Sequence, residues 1–184
     1  VYGLGGYEPG PVHRAVVRLE QEGLVAGVIT QNIDMLHQRA GSFKVFEIHG
    51  SPITHRCLQC GHAIGYEAVC RLLERADVPR CERCGGGFKQ DITFFGEQLP
   101  ERAFEGAVRL AREADVLLVL GSSLTVQPAA SLPMLTLRGG GRLAIVNAQP
   151  TPLDHQATWR ARDLAVFADA ILAETARPSR DTVS

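Results

Sequence analysis

Two cysteine pairs, Cys57-Leu58-Gln59-Cys60 and Cys81-Glu82-Arg83-Cys84, fix a chemistry more narrowly than anything else in this chain. Residues 61 to 80 separate them. Each CxxC turns tightly enough to present two sulfurs, and two pairs at this separation match four thiolates around one tetrahedral zinc ion. Gly61 after the first pair and Gly85-Gly86-Gly87 after the second leave the backbone free to fold around the metal. Few large apolar residues lie between the pairs, so metal binding, worth about 10–16 kcal/mol in small zinc modules, would supply most of the stability there. Four protein ligands leave no open position, which makes the ion structural. A redox CxxC needs only one pair, and no signal-peptide pattern argues for disulfides. Cys70 falls on a predicted helix over 66–74 and is read as packed, and His62 is not needed to complete the shell.

A second constellation is Thr30-Gln31-Asn32-Ile33-Asp34, directly after the apolar run 25–29. A short Val- and Ile-rich run reads as a buried parallel strand, and its carboxyl end then delivers amides and a carboxylate to one edge. On its own this is equally a polar turn leaving a strand. The pattern repeats, however. Residues 45–48 end on His49-Gly50, 115–120 on Gly121-Ser122-Ser123, and 143–146 on Asn147. Four strands finishing in small or polar groups describe a ligand crevice along one sheet edge, where open α/β sheets bind nucleotides. Of the six histidines, His49 alone stands at that edge. An imidazole there suits a general base, since its pKa of about 6.5 lies near neutrality. His13 and His37 fall in predicted helices, His55 and His62 flank the cysteine module, and His155 sits in a Pro-rich loop.

The elements that must carry these groups alternate helix and strand. Residues 11–22 form a predicted amphipathic helix, with Val12, Ala15, Val16 and Leu19 on one face and Pro11 at a favoured first position. Residues 100–113 place Ala103, Phe104, Ala107, Val108 and Ala111 on a stripe. A third helix over 128–137 is interrupted by Pro133 and closed by Gly139-Gly140-Gly141. Helix then strand, three times over, is the grammar of a Rossmann-like parallel sheet with crossover helices, into which the cysteine module is inserted. Residues 164–167 are a candidate last strand, followed by a short helix to 175 and a disordered tail from 177. The expected units are 1–53 with 92–176 as the nucleotide-binding domain, 54–91 as the zinc module, and 177–184 as the tail. A GxGxxG fingerprint is missing: Gly3, Gly5 and Gly6 have the wrong spacing and follow no strand.

At 184 residues, 45% of them hydrophobic, the chain can bury one core. A net charge of −1 offers no footprint for nucleic acid, and the apolar runs are too short to span a membrane. The expectation is a cytoplasmic protein with no direct nucleic-acid or membrane partner. The chain opens on Val1 and a loop-like glycine stretch, which reads as an amino-terminally truncated piece.

Taken together, these residues resemble the sirtuins, NAD-dependent protein lysine deacylases. "VITQNIDMLHQRAGS" and "VFEIHGS" look like the family's central signature, and the cysteine pairs fall where it carries its zinc ribbon. "ITFFGEQLP" resembles the substrate segment, "LLVLGSSLTVQPAA" the ribose-binding strand and turn, and "LAIVNAQPTPLD" the adenosine-side strand. The likeness runs from about residue 9 to 154 in the family's order. It implies that Gln31, Asn32, Ile33 and Asp34 meet the ribose and nicotinamide end of NAD, with His49 as the base. Gly121, Ser122 and Ser123 would meet ribose and phosphate, and Asn147, Ala148 and Gln149 the adenosine side, with Ala170 bordering adenine. Ile92, Phe95 and Gly96 would line a tunnel for the acylated lysine of a protein or peptide substrate. The implied chemistry consumes NAD: the acyl oxygen attacks the anomeric carbon, nicotinamide leaves, and O-acyl-ADP-ribose and free lysine result.

Two departures from the family pattern stand out. The GAGxS phosphate loop and the first strand are absent, which would weaken the grip on pyrophosphate. Lys89-Gln90-Asp91 replaces the family's Arg-Pro-Asp and is expected to loosen one turn. The alternatives are a non-catalytic zinc-ribbon and nucleotide-fold interaction module, or an NAD-cleaving protein of related fold.

Overall fold

The computed structural model describes residues 6–174. In chain order the elements are α1 (Pro11–Gln21), β1 (Val28–Thr30), α2 (Leu36–Ala40), β2 (Val45–Glu47), β3 (Gly50–Cys57), β4 (Ala63–Gly65), α3 (Tyr66–Leu73), β5 (Phe88–Ile92), α4 (Glu101–Glu113), β6 (Val116–Leu120), α5 (Leu132–Arg138), β7 (Arg142–Val146), β8 (Trp159–Ala161) and α6 (Leu164–Glu174). The parallel layer is Rossmann-like and comes in two hydrogen-bonded pieces. In one, β1 pairs with β2 from Val28↔Val45 to Thr30↔Glu47. In the other, β6, β7 and β8 run parallel in that order. One apolar core joins the pieces: Ile29 of the first and Leu117 of the second both pack on Ile48, Ala107, Ala111 and Leu132. The inserted module is a separate antiparallel sheet in the order β4-β3-β5, with α3 alongside.

Helix α4 comes unusually close to β2 because Gly106 faces Phe46. A Cβ at Gly106 would lie 2.1 Å from the ring, so only hydrogen fits. Thr136 of α5 then ties the next helix in, donating to the Ala111 carbonyl at 2.6 Å from a fully buried position.

Two elements differ from those expected. Strand β1 starts at Val28 rather than 25, because the Leu24 and Val25 N–H groups still cap α1 through the Leu19 carbonyl. The third helical stretch divides near Pro133 as expected: a 3₁₀ turn over Ala129–Ser131 gives way to α5, with Pro133 in its first turn, where no N–H partner is required. Residues 164–167 are not a strand but the start of α6. Asp163 Oδ1 accepts the Ala165 and Val166 N–H groups at 2.8 and 3.1 Å, an N-cap that commits the Ala-rich run to helix. The last strand is instead β8, registered as Ala144↔Trp159. The predicted tail from 177 lies outside the described residues.

Candidate active site and metal centre

The carboxyl ends of β1, β2, β6 and β7 carry the polar groups singled out in the sequence, and hydrogen bonds join several of them directly. His49 occupies the turn between β2 and β3. Its Nδ1 lies 2.9 Å from the Gln31 carbonyl at the end of β1. A carbonyl only accepts, so Nδ1 carries the proton and the lone pair of the neutral ring stands on Nε2. From the same residue, Gln31 Nε2 reaches Ser122 Oγ at 3.5 Å, a long contact spanning from β1 to β6. Ser122 Oγ also accepts the Leu124 N–H at 3.3 Å, and Ser123 pairs with Thr125 at 2.8 Å. The Asn32 N–H is held by Thr30 Oγ1 at 3.1 Å, and Asp34 Oδ1 accepts the Leu36 N–H at 3.0 Å. On β7, the Asn147 side chain donates to the Gln149 carbonyl at 2.8 Å, while Gly121 N–H bonds the Val146 carbonyl beside it.

Backbone strain is concentrated here. Among the described residues, the non-glycine ones with positive φ are Met35 at 62°, immediately after Asp34, and Leu124 at 53°, immediately after Ser123. Each left-handed residue costs about 1–2 kcal/mol, and such strain clusters at functional sites. Gly50 has a different reason to be glycine. Its φ is +80°, and a Cβ would fall 2.0 Å from the Asp91 carbonyl oxygen, so the chain of β5 passes directly over it. That close approach anchors the 92–97 segment to the base: the Thr93 N–H donates to the His49 carbonyl at 2.9 Å.

Lys89 and Asp91 make contacts around the 92–97 segment, while Gln90 Nε2 is buried without a hydrogen-bond partner. Lys89 Nζ donates to the Ile92 carbonyl at 2.8 Å and to Glu97 at 2.9 Å, and it lies over the Phe94 ring. Asp91 takes Arg56 in an ion pair at 2.8 Å. The Phe94 N–H and then Lys89 hold the exposed Glu97 carboxyl below its usual pKa. Within the segment, Ile92 is only 6% exposed while Phe95 is 97% exposed, and Gly96 turns the chain at φ +88°. Ile92 and Phe95 therefore face different surroundings.

A cavity of about 1040 Å³ lies behind this segment, between β2 and the cysteine module, lined by Glu47, Thr54, Arg56, Lys89 and Gln98 among others. It does not include His49, Asn32 or Ser122, so the candidate site is defined by convergence of groups rather than by that cavity. Burial raises the Glu47 carboxyl's pKa against hydrogen bonds from Gln38 and Ser51, and Asp34 adds to the rise. Ala170 lies six residues into α6 from Leu164, about 9 Å along a helix. Leu164 itself is the α6 residue at Gly121: a Cβ there would meet its Cδ1 at 3.2 Å. Sequence reasoning passed over Leu164 because residues 164–167 looked like a strand. The signal that finds it is Asp163 as a helix cap.

The four cysteines converge. All four sulfurs lie within 4.8 Å of one another, with Cys57–Cys84 at 3.4 Å and Cys60–Cys81 at 3.7 Å. A tetrahedral zinc with Zn–S bonds of about 2.3 Å has S···S edges of about 3.8 Å, so these spacings fit a metal and are far too long for disulfides. Gly86 closes the site, since a Cβ would come 2.9 Å from Cys57 Sγ. The Cys60 N–H is the main influence lowering the Cys57 thiol to about 6, whereas at Cys84 neighbouring sulfurs outweigh the Gly86 N–H and push the thiol up to about 12. Four thiolates this close repel one another, and a divalent cation relieves the repulsion. The sulfurs of Cys57, Cys60, Cys81 and Cys84 would hold zinc. Cys70 lies on α3, outside this cluster.

Fold and site together define an α/β protein with a nucleotide-type sheet edge, an imidazole base and an inserted four-thiolate lobe. The Sir2 family model matches residues 3–128, and the chain belongs to that family. It is 45% identical over 168 residues to an NAD-dependent protein deacetylase of Thermotoga maritima, covering 91% of this chain and 68% of that protein. It is also 45% identical over 148 residues to NAD-dependent protein deacylase 2 of Archaeoglobus fulgidus, covering 80% of this chain and 58% of the relative. The chain thus spans between 58% and 68% of the length of these two relatives. Among solved structures, Sir2 with a p53 peptide and NAD+ superposes with a TM-score of 0.86 at 45% identity, covering 91% of this chain and 70% of that one. Sir2 bound to an acetylated peptide gives 0.89 at 43% identity, covering 95% and 74%.

Proposed function

We propose that the protein containing this chain removes acyl groups from lysine side chains of proteins or peptides, with NAD as co-substrate and nicotinamide and O-acyl-ADP-ribose as products. The observation that carries this reading is the His49 ring, fixed through Nδ1 on the Gln31 carbonyl with Nε2 left as the basic nitrogen. The deacetylase and deacylase relatives, and the related structures holding NAD+ or acetylated peptide, supply the substrate classes.

In this reading Gln31, Asn32, Ile33 and Asp34 hold the ribose and nicotinamide end of NAD. Gly121, Ser122 and Ser123 face ribose and phosphate, and Asn147, Ala148 and Gln149 the adenosine side, with Ala170 at its margin. The donors present fit such a ligand: the amide of Gln31 and the hydroxyl of Ser122 meet at the same edge as the His49 ring. NAD supplies an electrophilic anomeric carbon and a leaving group. His49 Nε2 accepts a proton from a ribose hydroxyl, and the Gln31 carbonyl steadies the imidazolium that forms. Ile92, Phe95 and Gly96 guide the acyl-lysine, and extended backbone beside them pairs with a peptide strand whatever its sequence. Residues 1–53 and 92–176 act as the nucleotide-binding domain and 54–91 as the zinc module. A reducing compartment, the cytoplasm, suits five cysteines free of disulfides. Among the described residues, no helix is long and apolar enough to cross a membrane.

The test is nicotinamide release from NAD by the gene product containing residues 1–184, given acetyl-lysine peptide and a panel of longer acyl groups. Peptide-dependent release is expected. No release with any acyl group, or release that ignores the peptide, rules the reading out.

A further inference from the structure

Helix α2 has five residues, none of them buried, and a helix that short does not hold itself together in water. It is entered through the left-handed Met35. Yet the turn that leads into it carries Asp34, whose carboxylate is oriented by the first helical N–H, that of Leu36. The position of this end of the site therefore depends on what pins α2 from outside. Arg39 is one anchor, bonding Glu8 at 2.7 Å and the Tyr7 carbonyl. Gln38 is a second, its side chain bonding the Glu47 carboxyl of β2, and a third is a ring contact: His37 of α2 meets His13 of α1 edge to face, with centroids 4.8 Å apart and planes at 66°. His13 is itself fixed, because its Nδ1 accepts the Gly10 N–H at 3.1 Å at the start of α1. His37 Nδ1 is buried and has no hydrogen-bond partner.

We propose that His13 and His37 are positioning residues for the Asp34 end of the active site, and that their stack holds α2 on α1 only while both rings are neutral. The surroundings favour neutrality. Burial is the main influence lowering the pKa of each ring below the ordinary histidine value. His13 lowers His37 further, and Arg14 lowers His13, while Asp34 acts in the opposite sense on both. Glu47 of β2, which also feels Asp34, adds a second carboxyl to this neighbourhood. A proton on either ring changes the balance: the imidazolium attracts the Asp34 carboxylate and pulls against its bond to the Leu36 N–H. The same event sets two cationic rings against each other once the second proton binds. Acid therefore moves Asp34 and frees α2 together.

The functional consequence rests on the deacylase reading, but the structural claim is testable without any ligand. The experiment follows the imidazole resonances and the Leu36 amide of the full chain by NMR from pH 8 to 5. A double variant, His13→Gln with His37→Gln, is compared. Glutamine at position 13 can still reach back to the Gly10 N–H, as in a capping box, but cannot take up a proton. In the wild type the Leu36 amide should shift with the same midpoint as the two rings, below 6.5, and in the double variant that step should vanish. A Leu36 shift that follows carboxylate ionisation, or persists unchanged in the variant, overturns the proposal. Should the double variant fail to fold, His13→Gln alone decides: the His37 midpoint must rise, and an unchanged midpoint refutes the coupling. In a second arm, the wild type should bind NAD about tenfold more weakly at pH 5.5 than at 7.5, the loss expected for one charge-assisted hydrogen bond. The variant should lose less. This arm uses the gene product containing residues 1–184; absence of NAD binding to it at both pH values counts against the deacylase reading, while the Leu36 titration still settles the histidine pair.

Discussion

Replacing Gly50 by alanine tests whether the β5 crossing fixes the base. Two costs arise. At φ +80° an L side chain is strained by about 1–2 kcal/mol. The new Cβ would also sit 2.0 Å from the Asp91 carbonyl oxygen and 3.1 Å from Ile92 Cα. Relieving that overlap means pushing β5 away where Gly50↔Ile92 and Ser51↔Asp91 pair. Overpacking costs about 1–3 kcal/mol, and a lost backbone hydrogen bond adds about 1 kcal/mol. The total is about 3–6 kcal/mol, a large part of the 5–15 kcal/mol typical of a domain. Gly23 is the control: its φ is +72°, but a Cβ there meets nothing within 4 Å, so Gly23→Ala should cost only the strain. Urea denaturation followed through the single tryptophan, Trp159, gives both numbers. The Gly50 variant should also lose activity, because the Thr93 N–H no longer meets the His49 carbonyl. If Gly50→Ala proves no costlier than Gly23→Ala, the crossing does not constrain this turn and the reasoning fails.

Other expectations concern chemistry more directly. His49→Ala should abolish nicotinamide release while zinc content stays at one ion per chain, and near-normal turnover would remove His49 from its role. Chelation at neutral pH should unfold the cysteine module, read as proteolytic cleavage between residues 58 and 87, while Trp159 fluorescence is retained; simultaneous loss of both signals would show that the sheets do not stand without the metal. Protonation of His13 and His37 should make stability depend on pH. Both pKa values are lowered on folding, so the unfolded chain takes up protons first, and stability should fall as pH drops below about 6.5. The double glutamine variant should flatten that slope, and an equal slope in both proteins would assign it to other groups.

Much of this architecture is legible without coordinates wherever one residue type permits one local solution. Two CxxC pairs announce a four-sulfur centre because thiolates at that spacing have few other stable fates. The helical stripe of α4 and the apolar run of β7 announce buried elements because such patterns have one way to exclude water. The run at 164–167 misled because an apolar stretch that short has no period of its own, and Asp163, outside it, decides for helix.

The sequence by itself therefore determined the inventory: which groups could bind metal, which could move a proton, and which strands would deliver them to one edge. Tertiary structure alone decided the relations among them. It put the Gln31 carbonyl on His49 Nδ1, laid the Asp91 backbone over Gly50, turned Lys89 onto the 92–97 segment, and stacked His13 on His37. Each of these is a contact between residues distant in sequence or a backbone approach set by packing. Local propensity carries no information about such contacts, because the free energy that selects them is realised only when the elements close on one another.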